Sequence, residues 1–78
     1  MKIEVRYFGM IAEQIGKDSE TIELDFDGNL DLKRYFEDLY PSIARIKFKI
    51  AIDQEFGEVL EQNHQASEIA LLPPFAGG

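Results

Sequence analysis

A chain of 78 residues, 45% hydrophobic and 29% charged, has enough length for one packed core and none for a separate active-site domain. The expected organisation is a single domain over residues 1–78, with any catalytic machinery supplied by a partner. Fifteen acidic residues against eight basic ones, a net charge of −7 with no basic stripe, exclude nucleic-acid binding, which needs clustered Lys and Arg to displace counterions from phosphates.

Residues 2–8 place Ile3, Val5 and Tyr7 on one side and Lys2, Glu4 and Arg6 on the other, the period of a half-buried strand. The same stretch lacks the continuous apolar run of a signal peptide or a membrane span, so a cytoplasmic protein without membrane contact is expected. After Gly9, residues 10–15 read as a short helix closed by Gly16 in the left-handed cap position. Residues 21–26 alternate Ile22, Leu24 and Phe26 against Thr21, Glu23 and Asp25, predicting a second strand antiparallel to the first and ended by the turn Asp27-Gly28-Asn29. From Asp31 as N-cap, Leu32, Tyr35, Phe36, Leu39 and Tyr40 recur at steps of three and four, predicting a helix with one face on the sheet. Pro41 stops it by pushing residue 40 out of the α region. Phe48, Ile50 and Ile52 alternate with Lys47, Lys49 and Ala51 as a third strand, residues 53–57 turn into a short edge strand, and a last strand covers residues 68–72. Strand, short helix, strand, main helix and further strands together predict an α+β domain, one helix packed on a mixed sheet.

All eight bases lie at or before Lys49; beyond it Asp53, Glu55, Glu58, Glu61 and Glu68 have only His64 to compensate them. A partner touching that half is expected to be basic, the alternative being a solvated acidic surface that keeps a small domain soluble. Familiar catalytic signatures fail. Gly16-Lys17 is followed by Asp18 where a phosphate-binding loop needs Ser or Thr, and Ile11 stands in place of its leading glycine. His64, between Asn63 and Gln65, reads as a solvated loop residue, and the neighbours Glu37 and Asp38 point in different directions on a helix. Without cysteine there is no disulfide, no thiolate metal site and no side chain to carry a transferable sulfur. Neither a metal nor a cofactor bound by this chain is expected.

What remains is the ending Leu71-Leu72-Pro73-Pro74-Phe75-Ala76-Gly77-Gly78. A terminal Gly-Gly arises by chance about once in 200 sequences at ordinary glycine usage. The two prolines hold φ near that of an extended arm, so residues 73–78 are expected to leave the domain as a flexible functional tail. Gly77 and Gly78 strip the β-carbons from beside the final carboxylate, which lets the backbone enter a narrow channel and a nucleophile reach the carbonyl. That carboxylate is inert until activated, for instance by adenylation, after which a sulfur nucleophile would leave a thiocarboxylate. Three apolar residues also stand out of phase or in polar surroundings: Phe8, Phe56 and Leu72. They form either an exposed patch at the base of the tail or aromatic ends folded back into the core.

From its opening strand, through Ala51-Ile52-Asp53-Gln54, to Pro-Pro-Phe-Ala-Gly-Gly, the chain resembles the small subunit of molybdopterin synthase, a ubiquitin-like sulfur carrier of the MoaD type. The resemblance implies a β-grasp fold, with Gly78, supported by Gly77, as the catalytic end: adenylated by an ATP-using activating enzyme, then converted to a thiocarboxylate. It implies insertion of the tail into the large synthase subunit, sulfur donation to cyclic pyranopterin monophosphate, and a heterotetramer of two small and two large subunits. The active site would then belong to the complex and not to this chain alone. By position, Phe8, Phe56, Leu72, Pro73, Pro74, Phe75 and Ala76 match the family's partner contacts. Asn63-His64-Gln65-Ala66-Ser67 replaces the Asp-Gly-Asp-type turn common there, and Phe75 is bulkier than the family's usual residue. A carrier for thiamin or tRNA thiolation, a ubiquitin-like modifier conjugated through Gly78, and an interaction domain with an inert tail stay open.

Overall fold

The computed structural model describes residues 1–74; Phe75, Ala76, Gly77 and Gly78 lie outside the described residues. In chain order the elements are β1 (Lys2–Tyr7), α1 (Gly9–Ile15), β2 (Ser19–Glu23), β3 (Asn29–Asp31), α2 (Leu32–Leu39), a 3₁₀ turn (Pro41–Ile43), β4 (Lys49–Ile52), β5 (Glu55–Phe56), β6 (Val59–Glu61) and β7 (Glu68–Leu72). Five strands form a mixed sheet in the order β2-β1-β7-β4-β5, and β3 pairs with β6 in a separate two-stranded ribbon. The two central strands, β1 and β7, run parallel, and every other pairing is antiparallel.

The period-two pattern turns Ile3, Val5 and Tyr7 of β1, Ile50 and Ile52 of β4, and Ile69 and Leu71 of β7 into the core. Against them lies α2, whose Phe36 is fully buried and meets the Tyr7 ring edge-on at 6.4 Å. Asp31 caps α2 by accepting a hydrogen bond from the Arg34 N–H at 3.2 Å, as its residue type predicts. Gly16 closes α1 at φ 89°.

Two expectations are corrected. The strand predicted over residues 21–26 starts at Ser19 and stops at Glu23, because β1's ladder ends with Lys2 opposite Glu23. Past it, only the Met1 carbonyl and ammonium reach the backbone of Leu24. Leu39, expected on the buried helix face, is exposed. The chain leaves the helix at Tyr40, and it is Tyr40 that turns inward, its ring 5.9 Å from that of Tyr7. β3, β6 and the 3₁₀ turn were not anticipated, since three residues are too few to display a period.

Phe36→Ala is expected to cost about 3–5 kcal/mol and Asp31→Ala about 1 kcal/mol. Urea denaturation checks both; comparable losses would mean that Phe36 is not the centre of the core.

Candidate functional site

The register that fills the core fixes what the other sheet face carries. Arg6 pairs with Ala70, Ala70 with Ala51, and Ala51 with Phe56, so one row crosses four strands. The adjacent row holds Leu72 opposite Lys49, and Phe8 follows Tyr7, its N–H donating to the Leu71 carbonyl at 3.2 Å. Phe8 is 42% and Phe56 72% exposed, while Leu72 is half-buried. Phe8 and Phe56 do not fold back into the core. They stand three strands apart, about 14 Å at ordinary strand spacing, with Leu72, Ala70 and Ala51 between them. The small alanines leave a shallow apolar floor between two aromatic walls.

The face is graded along its strands. At the end away from the tail, Arg6 Nε lies 3.0 Å from both Glu4 Oε1 and Glu68 Oε2. At the other end the chain passes from Leu72 to Pro73, which is half-buried, and Pro74, which is exposed. Gly9 lies against this departure: at φ +56° a side chain would be strained, and its Cβ would sit 3.1 Å from Pro73 Cγ. Pro73 thus packs against Gly9 where the chain leaves β7. Partner contacts expected at Phe75 and Ala76, and the reactive Gly77 and Gly78, lie outside the described residues.

Two polar devices hold the walls, and sequence reasoning missed both. The hairpin that presents Phe56 turns through Asp53 and Gln54, which both take positive φ, 48° and 72°. Asp53 Oδ1 accepts the N–H groups of Ser67 and Glu68 at 2.9 and 3.0 Å, pinning the hairpin to the start of β7. Those backbone hydrogen bonds hold its carboxyl below the usual carboxylate range. His64 Nε2 stands 3.6 Å from Asp53 Oδ2, giving the solvated histidine a neighbour. Beside Tyr7, the residue before Phe8, Glu20 accepts hydrogen bonds from the hydroxyls of Tyr7 at 2.5 Å and Tyr40, and pairs with Lys17 at 3.2 Å. Burial opposes the Glu20 charge, but these three donors outweigh it and lower the carboxyl's pKa. Burial, then the hydrogen bond to Glu20, pushes the Tyr7 hydroxyl far above its ordinary range. The sequence signal was available only in hindsight: a tyrosine at the end of each of two elements and a glutamate on the strand between.

Among the described residues no group of His, Cys, Asp and Glu is gathered to hold a metal ion, and no helix is long and apolar enough to cross a membrane.

No family model matches the chain. Individual relatives do. A human protein named molybdopterin synthase sulfur carrier subunit is 35% identical, covering 99% of this chain and 94% of its own length. A Caenorhabditis briggsae protein of the same name is 31% identical over 100% of this chain and 99% of its own. The chain belongs to the family of molybdopterin synthase sulfur carrier subunits. A Pyrococcus furiosus structure described as molybdopterin converting factor, subunit 1, superposes with a TM-score of 0.71 at 18% identity, covering 96% of this chain and 99% of that one. The fold of the family member described here is the ubiquitin-like β-grasp, α+β as its element order predicts.

Ionised Glu20 contributes stability that is fully present above the unfolded carboxylate value near 4.5 and is lost as pH falls through the lowered folded-state value. Glu20→Gln should therefore lower the urea midpoint at neutral pH and leave it with a shallower decline toward acid. A parallel decline in both proteins would remove Glu20 from the acid response.

Proposed function

We propose that the chain is the sulfur carrier of molybdenum cofactor biosynthesis, working through its Gly78 carboxylate. One observation carries the reading beyond family membership: the apolar face formed by Phe8, Leu72 and Phe56 opens at the same sheet end from which the chain runs toward Pro73 and Pro74. A partner seated on that face is in place to receive the tail. Phe8 and Phe56 offer separated aromatic anchors and the alanine floor between them admits close approach, the arrangement of a small, well-packed contact.

The chemistry proceeds at the tail. A Gly78 carboxylate oxygen attacks the α-phosphorus of ATP on the activating enzyme, releasing pyrophosphate and forming an acyl-adenylate. The terminal sulfur of a persulfide attacks the carbonyl carbon and expels AMP, giving an acyl disulfide. Reduction of its S–S bond by a thiol releases the thiocarboxylate. In the large synthase subunit that sulfur passes to cyclic pyranopterin monophosphate, and water at the carbonyl restores the carboxylate. ATP belongs to the activating enzyme and the catalytic pocket to the large subunit, in a heterotetramer of two copies of each; this chain supplies the leaving sulfur and the docking face. Carriers for thiamin or tRNA thiolation and protein modifiers share the opening adenylation and differ in the acceptor.

Incubation with ATP, a persulfide donor and the activating enzyme is expected to exchange one oxygen for one sulfur in the intact mass. Deleting Gly78 should abolish the exchange and leave the urea midpoint unchanged. Absence of the exchange in the complete chain would overturn the reading. Phe56→Asp, at an exposed position, is expected to weaken binding to the large subunit by about tenfold or more, measured by calorimetry; unchanged affinity would remove Phe56 from the interface.

A further inference from the structure

With fifteen acidic residues against eight basic, each base of this chain has carboxylates in excess to pair with. Arg6 bridges Glu4 and Glu68, and Lys17 pairs with Glu20. Lys33, Lys47 and Lys49, like Lys2, Arg34 and Arg45, take part in no ion pair among the described residues. Glu37, one helical turn from Lys33, and Glu55 and Glu58 on either side of Phe56 form none with them either.

These three lysines lie around one end of β4 although the sequence shows no basic stripe. Lys49 opens β4 directly opposite Leu72, and Lys47 lies two residues before it, exposed. Lys33, on α2, places Nζ 5.6 Å from the centroid of the Phe48 ring, and Lys49 Nζ lies 5.5 Å from that of Phe56. The end of β4 beside which the chain leaves for Pro73 is therefore flanked by ammonium groups, from the helix side and from the open face. An aromatic ring positions a cation through its quadrupole without neutralising it, so the charge stays available to something outside the molecule.

We propose that Lys33, Lys47 and Lys49 form a docking flank for a carboxylate-rich strip on the protein that receives the tail. The inference rests on the proposed function for there being such a receiver, and adds the chemistry of its surface. Complementary charge at the rim of an apolar contact accelerates encounter and fixes orientation. Here attraction at the root of the tail, combined with repulsion of the acidic remainder of the domain, turns the tail toward its receiver before the aromatic walls engage. The expected partner surface is thus acidic beside the tail, the reverse of the basic surface expected from charge order along the chain.

The test is the association rate of the full chain with the large synthase subunit from the same organism, followed by stopped flow at low and high salt. The double variant Lys47→Glu/Lys49→Glu is expected to associate about tenfold more slowly at low salt, with the salt dependence flattened or reversed. The neutral pair Lys47→Gln/Lys49→Gln should lose about threefold, which guards against an effect of misfolding in the reversed pair. Lys2→Glu, at the opposite end of β1, should change the rate by less than about twofold. A complete chain that binds, with lysine variants matching it in rate and salt slope, overturns the inference and leaves the proposed function standing. Loss of the lysine dependence on adding inorganic phosphate at constant ionic strength would assign the flank to phosphate and overturn it as well. A complete chain that does not bind at all overturns the proposed function and this inference with it.

Discussion

The parallel pairing of β1 with β7 is the constraint on which the rest of this molecule depends. These strands open and close the sheet in sequence, yet lie side by side at its centre, with Val5 opposite Ile69 and Tyr7 opposite Leu71. Bringing them together closes most of the described chain into a loop, and the entropy of that closure grows only slowly with loop length. It is offset by Ile3, Val5, Ile69 and Leu71, none more than 1% exposed, each contributing about 1.5–3 kcal/mol by leaving water. Since strand side chains alternate, the register that buries these four also determines the open face. A slip of β7 by one residue would drive Glu68, Ala70 and Leu72 toward the core and turn Ile69 and Leu71 to water. The apolar patch therefore cannot drift relative to the tail, because both follow from the same register.

Phe56 is held by a different balance. A two-residue strand contributes little to its own stability, and the turn that leads to it places two non-glycine residues in the left-handed region, at about 1–2 kcal/mol each. Asp53 offsets part of that strain by accepting two backbone N–H groups from the start of β7. The arrangement makes the outermost strand lean on the central one through a side chain as well as through the ladder. Brevity of β5 has a second consequence: it leaves few unpaired backbone groups on the open edge, which limits edge-to-edge association with other sheets.

How much of this could be read from the residues depended on the length of each signal. β1 and β7 were legible because five or six alternating residues define a period, and α2 because a capping Asp31, spaced apolar residues and a stopping Pro41 agree. The ribbon of β3 and β6 was not, since three residues around a half-buried Leu30 or a buried Leu60 look like loop until they meet. Phe8, out of phase with its strand, and Phe56, among acidic residues, were legible as candidates for an exposed patch or for burial at strand ends, but their separation across three strands was not, because strand order is a property of the whole sheet. Leu39 shows the opposite failure: a residue with the right spacing lost its place to Tyr40, whose hydroxyl had Glu20 to meet. Sequence spacing ranks candidates for the core; the polar partner decided between these two.

Charge shows the same limit most clearly. The stretch beyond Lys49 is acidic by count, but Glu68 is paired with Arg6, and the Asp53 carboxylate is turned onto backbone N–H groups and faced by His64. The cations without partners lie at or before Lys49, and β4 carries Lys49 across to the end of β7. At physiological ionic strength charges are screened over about 8 Å, so a docking surface senses the groups beside Leu72 far more than the total of −7. The net charge governs solubility and repulsion at long range. The local field at the root of the tail is set by sheet order, which places Lys49 opposite Leu72, where β7 ends.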